Sequence, residues 1–297
     1  MAPDLSLIRV FCAIFQTRSV SRAANVLALT QPAVSYSLGR LRRQFDDQLF
    51  LRSGSGMMPT PVAEQLYEAF GSALEQIDRA AQAIRGFDPA TSDRRFRVAM
   101  SDIGEMCYLP PLMAVLGAEA PSVGFETQSV ALDETARALT MGQLDFAIGS
   151  LPELGPDTNS APIFVEHYVC LFRRGHPLIG EQLTLEQFER CKHIMVASPF
   201  NRLNVLTDLL TEQTRRQVAV QAVHFTSVPA LVVETDLVVT LPSRVARIFA
   251  RTHDLRFLPV PLDIPLYEVR LHWHRRVEGD AGNQWLRGVM TRTLSGV

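Results

Sequence analysis

The sequence predicts a small helical domain with a winged helix-turn-helix, then a long linker helix, then a larger α/β domain. Three observations predict it. Residues 19–41 hold two short helical stretches separated by a tight break, the second with a polar face. Residues 62–85 are free of proline and carry an apolar residue every three or four positions. From residue 94 onward, short β-rich runs alternate with helical ones.

The first element is an amphipathic helix carrying Leu7, Val10, Phe11, Ile14 and Phe15 on one face. Ser19 is placed to cap a helix opening at Val20 or Ser21, and Thr30 to cap the next one, because their hydroxyls accept from otherwise unpaired first-turn amides. Pro32 fits the first turn of that second helix, where a missing N–H costs nothing. Ala33, Val34, Leu38, Leu41 and Phe45 then recur at the helical period and pack inward. Gln31, Ser35, Tyr36, Arg40 and Arg43 fall on faces that water or DNA must cover. Leu49-Phe50-Leu51-Arg52 reads as a strand, Ser53-Gly54-Ser55-Gly56 as a flexible turn, and 57–61 as the return, which makes a wing.

Charge supports a nucleic-acid partner locally. The 297-residue chain has 29 basic and 31 acidic side chains, a formal charge of -2. Residues 1–60 nevertheless hold seven Arg against three Asp, so contact with a polyanion is confined to that end. Gln31, Ser35 and Tyr36 project from the early turns of the second helix, where base edges in a major groove are within reach. Arg40 and Arg43 suit phosphates, and Arg52 in the wing suits a minor groove or a phosphate. Thr30 and Thr60 are candidates to anchor backbone oxygens, and Ser21 and Pro32 complete the DNA-facing set.

In the linker, Val62, Leu66, Phe70, Leu74, Ile77, Ala81 and Ile84 form one stripe over about six to seven turns. That stripe is expected to have no partner within its own small domain, so pairing with a second copy through Leu66, Phe70, Leu74, Ile77 and Ile84 is its natural use. Packing against the C-terminal domain is the alternative. The turn residues of 86–93 read as a hinge. The expected division is therefore 1–60, 61–86, 87–93 and 94–297.

The segment 11–61, with Ala23-Ala24, Gln31-Pro32-Ala33-Val34-Ser35, Leu49-Phe50-Leu51-Arg52 and Pro59-Thr60-Pro61, resembles the LysR-type transcriptional regulators. Asp4-Leu5, Arg9-Val10-Phe11 and Ser101-Asp102-Ile103-Gly104-Glu105-Met106 resemble, more narrowly, the branch with nodulation regulators and regulators of aromatic-compound breakdown. Tyr36 stands where that family often has Arg or His. The resemblance implies a regulator that binds double-stranded promoter DNA and a small-molecule effector, and with no membrane span or signal-peptide pattern in the sequence it is expected in the cytoplasm. It implies dimers that pair into tetramers, and contact with RNA polymerase if the protein activates. It further implies a periplasmic-binding-protein-like (type 2) effector domain of two Rossmann-like subdomains, 94–164 with 267–297 and 165–266.

The elements of that domain read as strand 96–100, helix 104–119, strand 123–130, helix 132–141 and a strand within 142–149. A second set follows: strand 166–173, helix 185–190, strand 193–196, helix 202–214, strand 218–225, helix 227–234, strand 237–240 and helix 243–250. Strand 267–274 and helix 283–294 close the chain, and a parallel sheet is expected in each half. Open sheets of this kind bind ligands beyond their strand ends, beside helix N-termini. Four such corners are candidates: Ser101 with Asp102, Ser198 with Phe200, Thr226 with Ser227, and Gly149 beside Ser150. Capping is the competing use of each hydroxyl, and Asp102 with Glu105 has capping-box spacing. Phe200 offers a flat wall for a ring, and 225–227 lies where a crossover between subdomains is expected. Asp102 near the mouth, where it is not fully used as a cap, disfavours an anionic effector, whereas the family often senses small carboxylates and aromatics, which leaves an aromatic or organic acid open.

Several classes are excluded or disfavoured. No apolar run approaches a membrane span, and the N-terminus lacks the pattern of a signal peptide. Cys12, Cys107, Cys170 and Cys191 are too dispersed for a zinc site or a disulfide framework. No nucleophile elbow, P-loop or dinucleotide fingerprint is present, so no catalytic residue, metal or cofactor is expected. His272 and His274, two apart on one strand, are the best opening for metal chemistry but lack a third ligand. The rival reading is a solute-binding or enzymatic α/β domain whose N-terminal segment serves only oligomerisation.

Overall fold

Helix caps and glycine set the architecture of the first sixty residues in the computed structural model, which describes residues 4–53, 56–197 and 203–296. The chain forms two compact units, Met1–Gly86 and Phe87–Val297. In the first, α1 (Leu5–Thr17) is capped by Asp4, whose carboxylate accepts from the Ser6 amide. Ser19 caps α2 (Val20–Val26) by accepting from the Arg22 amide, and Thr30 caps α3 (Gln31–Phe45) by accepting from the Ala33 amide. Strands β1 (Phe50–Ser53) and β2 (Gly56–Pro59) pair antiparallel as the wing. Gly56 has φ +117°, and a Cβ there would lie 2.6 Å from the Arg18 carbonyl oxygen, so the wing's return strand requires glycine.

Phe11, Ile14, Val34, Leu41, Leu49 and Phe50 are fully buried in this unit's core. Helix α4 (Pro61–Arg85) covers part of it. Phe70 meets Phe11 edge-on with ring centroids 5.5 Å apart, and Tyr67 stacks on Phe15 at 3.9 Å. The expectation that the stripe of α4 lacks a partner in its own domain is thereby corrected. Leu66, Phe70 and Leu74 pack against the core of the helical domain because the start of α4 lies along α1.

The second unit contains two five-stranded sheets. One lobe holds β3 (Arg95–Ala99), α5 (Asp102–Glu119), β4 (Gly124–Gln128), α6 (Leu132–Met141), β5 (Phe146–Gly149) and β6 (Thr158–Glu166), and the last strand and helix of the chain return to it. These are β12 (Tyr267–His274) and α11 (Ala281–Leu294), and the strand order is β4-β3-β5-β12-β6. The other lobe runs β7 (Tyr168–Arg173), α7 (Leu185–Arg190), β8 (Lys192–Val196), α8 (Leu203–Gln213) and β9 (Gln217–Ala222). A single 3-10 turn, Phe225–Ser227, leads into α9 (Val228–Glu234), β10 (Leu237–Pro242), α10 (Ser243–Thr252) and β11 (Leu255–Pro259). Its order is β11-β7-β10-β8-β9.

Both sheets are mixed, which corrects the parallel expectation. β3 runs parallel to β4 and β5, while β12 is antiparallel to β5 and β6. β7 is likewise antiparallel to β10 and β11. The unexpected strands are β6 and β11, and each is a sheet edge. Edge strands tolerate proline and one wet face, so Pro162 in β6 and Pro259 in β11 break the pattern by which a buried strand is read. The chain passes between lobes at His167 and again between β11 and β12. The corner 225–227 is therefore not a crossover.

Candidate DNA-reading face and effector cleft

Helix α3 separates its two duties by face. Val34, Leu38 and Leu41 are buried, while Gln31, Pro32, Ser35, Tyr36, Arg40 and Arg43 are exposed, Tyr36 to 68%. Ser21 on α2 and Arg52 on the wing are exposed as well. Gln31 and Ser35 are one turn apart, as are Tyr36 and Arg40, so helical spacing alone aligns them. Thr30 and Thr60 differ from the others because their hydroxyls already cap helices. The Thr60 hydroxyl accepts from the Ala63 amide at 3.2 Å and donates to Asp47 at 2.7 Å. Arg42, not singled out in the sequence, fastens the wing: its guanidinium donates to the Gln48 and Phe50 carbonyls, each at 2.7 Å. Its position between Arg40 and Arg43 conceals a different direction on the helix.

The linker residues divide. Leu66, Phe70 and Leu74 are half-buried against their own domain, whereas Ile77 is 45% exposed. The Ile84 side chain lies outside the described residues.

Between the two lobes of the second unit is a cavity of about 50 Å³. Ser101, Gly149 and Ser150 line it, and so do groups the sequence did not suggest: Tyr108, Tyr168, Tyr267, Glu166 and Arg244. Glu166 is 3% exposed. Its carboxylate accepts from the Ser243 hydroxyl at 2.7 Å, the His167 amide at 2.8 Å and the Arg244 amide at 3.3 Å. It also lies 3.6 Å from the Arg244 Nε, so a buried anion is held by a helix N-terminus and a cation together. The Arg244 guanidinium sits 3.8 Å from the centroid of the Phe164 ring, and its buried Nη1 has no hydrogen-bond partner among the described residues. Burial pushes the Tyr168 hydroxyl up to about 12 and raises those of Tyr108 and Tyr267 as well, so all three present neutral O–H groups. Ser243 follows β10 at a strand-to-helix corner like the four considered in the sequence, and that is the signal by which Arg244 was findable.

The other predicted positions are placed differently. Ser101 is the cap of α5, accepting from the Gly104 amide at 3.3 Å. This corrects the reading of Asp102 as a capping-box residue, because the helix begins one residue earlier than that spacing assumes. Asp102 instead accepts from the Phe225 amide of the other lobe at 2.6 Å. Thr226 and Ser227 are exposed and do not line the cavity, and the Ser227 hydroxyl donates to the His224 carbonyl. Ser198 and Phe200 lie outside the described residues. His272 is buried and His274 is not, and among the described residues no three His, Cys, Asp or Glu side chains gather to hold a metal. All four cysteines are buried and unpaired, with burial pushing Cys12 to about 11 and Cys107 to about 12.

A winged helix-turn-helix with an exposed basic face, joined in one chain to two lobes around a small polar cavity, defines a DNA-binding regulator governed by a ligand-receiving domain. Residues 5–64 match the family profile "Bacterial regulatory helix-turn-helix protein, lysR family", and residues 90–295 match "LysR substrate binding domain". The chain belongs to the LysR family of transcriptional regulators. It is 38% identical over 288 residues to the HTH-type transcriptional activator NahR of Pseudomonas putida, covering 97% of this chain and 96% of that one. It is 32% identical over 295 residues to Nodulation protein D 2 of Rhizobium tropici, covering 98% and 93%. The structure of "probable transcriptional regulator PA0477 from Pseudomonas aeruginosa" superposes with a TM-score of 0.80 at 34% identity, covering 98% of this chain and 97% of that one. Full-length CbnR complexed with its target DNA shares the fold at a TM-score of 0.69 and 16% identity, covering 98% and 99%. The protein is thus a sequence-specific DNA-binding transcriptional regulator whose promoter binding responds to a small-molecule effector. It falls in the branch with the nodulation and aromatic-degradation regulators. Among the described residues, no helix is long and apolar enough to cross a membrane.

Proposed function

We propose that α3 reads promoter DNA through Gln31, Ser35 and Tyr36, with Ser21, Pro32, Arg40, Arg43 and the wing's Arg52 fixing the backbone, and that the cavity between the lobes receives a small aromatic or organic acid. Thr30 and Thr60 act by capping the helices whose ends approach the duplex. The division is 1–60 for DNA, 61–86 for dimerisation, 87–93 as hinge and 94–297 for the effector, with subdomains 94–164 plus 267–297 and 165–266. Ile77 and the distal linker pair two copies, the dimers pair again, and an activating complex meets RNA polymerase. The protein works in the cytoplasm and catalyses nothing.

The observation that carries the reading is the split of α3 into a buried face and an exposed, basic and amide-bearing one. For the effector, the supporting observation is Arg244, whose Nη1 is a buried donor in want of an acceptor oxygen. The three neutral tyrosine hydroxyls suit a ring with polar substituents. Ser101 and Gly149 line the same space, whereas Asp102 takes part through the other lobe.

Nuclease protection of the DNA upstream of the gene tests the first half. A protected, partly palindromic site that is lost in Gln31→Ala and Arg52→Ala is expected, and no protection at low salt returns the solute-binding reading. Calorimetry with a panel of aromatic carboxylates tests the second half, with heat expected from the native protein and none from Arg244→Met.

A further inference from the structure

Helix α5 belongs to two lobes at once. It follows β3 of the first sheet, and its later residues Leu112 and Leu116 pack into that lobe's core. Its early residues Ile103 and Cys107 pack instead into the core of the other lobe, in the cluster that holds Phe225 and Val245. At the same end, the Asp102 carboxylate accepts from the Phe225 amide across the lobes at 2.6 Å. A hydrogen bond to a charged acceptor is roughly twice as strong as one between neutral groups, so this is a fastening and not a passing contact.

Between the two halves stand Pro110 and Pro111. Neither has an N–H, so the carbonyls of Met106 and Cys107 lose their usual partners one turn on. A helix with two adjacent missing rungs bends there before it bends elsewhere.

We infer that the first two turns of α5 are a strap holding the lobes together, fastened by Asp102 on Phe225 and by Ile103 and Cys107, and hinged at Pro110-Pro111. The strap also borders the cavity through Ser101, Ile103, Cys107 and Tyr108. Ile103 and Cys107, which grip the second lobe, therefore also meet whatever fills the cavity. A ligand shifts a conformational balance only if it contacts something that differs between the two arrangements, and the strap is such an element.

Cys107 is 7% exposed with the strap fastened, so its labelling reports release of the strap. The full chain, without effector, is alkylated with N-ethylmaleimide, and each cysteine-containing peptide is quantified over time. Cys12 lies in the core of the other unit, while Cys170 and Cys191 lie in the second lobe's own core and off the strap, so the three serve as internal controls. In Asp102→Ala, labelling of Cys107 is expected to rise about tenfold, the size of a lost charged hydrogen bond, with the three controls unchanged. Asp102→Asn keeps a carbonyl acceptor and should rise less. Adding Pro110→Ala and Pro111→Ala to Asp102→Ala restores the two rungs and should slow labelling again. Unchanged labelling of Cys107 in Asp102→Ala overturns the strap. So does a rise that Cys170 shares equally, since that reports loosening of the whole lobe. Neither outcome depends on the identity of the effector or on DNA binding.

Discussion

The two units of this regulator treat charge in opposite ways. In Met1–Gly86 the arginines of α3 and the wing stand out in water, and only Arg42 is turned inward to hold the wing. In Phe87–Val297 the charged groups of the cleft turn on one another, with Glu166 buried and satisfied by Ser243, His167 and Arg244. A polyanion is met by cations that stay hydrated until contact, and counterion release drives the binding. A small ligand is met by groups already stripped of water, whose positions are fixed beforehand at a cost in stability. The recognition face can therefore lose a side chain cheaply, whereas the cleft cannot.

The largest expected effect breaks the cleft. Arg244→Ala leaves the Glu166 carboxylate buried beside a helix N-terminus without its cation, and loss of one partner of a buried pair costs about 3 kcal/mol or more. Urea unfolding followed by tryptophan fluorescence checks it, because both tryptophans, Trp273 and Trp285, belong to the second unit. An equal loss in the first unit of Arg43→Ala, read by circular dichroism, would erase the contrast between the units.

Acid should separate them next. All seven histidines lie in the second unit. Burial depresses His193 and His272 to about 4, so both are neutral in the folded state and protonate more readily once unfolded. Stability from these groups is complete above the ordinary value near 6.5 and is lost as pH falls toward 4, by about 3 kcal/mol for each. Melting followed by tryptophan fluorescence from pH 7 to pH 4 should show the second unit weakening, and His272→Gln should flatten the slope.

Smaller effects sharpen the other side. Arg52→Ala should weaken DNA binding uniformly across sequences and lower the salt-dependence slope by about 1, measured by anisotropy over a salt series. Thr60→Ala removes the cap of α4 and should cost about 1 kcal/mol of stability in the first unit, read by circular dichroism.

The same contrast governs what was legible in the sequence. Ser19, Thr30, Pro32 and the stripe from Val34 to Leu41 are local signals, and each reappears in α2 and α3. The bounds of α4, α6 and β12 likewise follow from local pattern. The cleft draws Ser101, Gly149, Glu166, Arg244 and Tyr267 from five separate stretches, and no spacing rule links them. The Asp102 contact was hidden for the same reason, since its partner lies 123 residues away. The stripe of α4 was visible, but its partner was not, because Phe11 and Phe15 belong to a helix fifty residues earlier.

The most direct test of the account is the ratio of binding to the upstream site over random DNA of equal length, for the native chain and Gln31→Ala, at one salt concentration. If α3 reads bases through its exposed face, Gln31→Ala loses about 1–3 kcal/mol on the specific site and almost nothing on random DNA, so the ratio collapses. A ratio that stays unchanged would contradict the assignment of α3 as the reading helix.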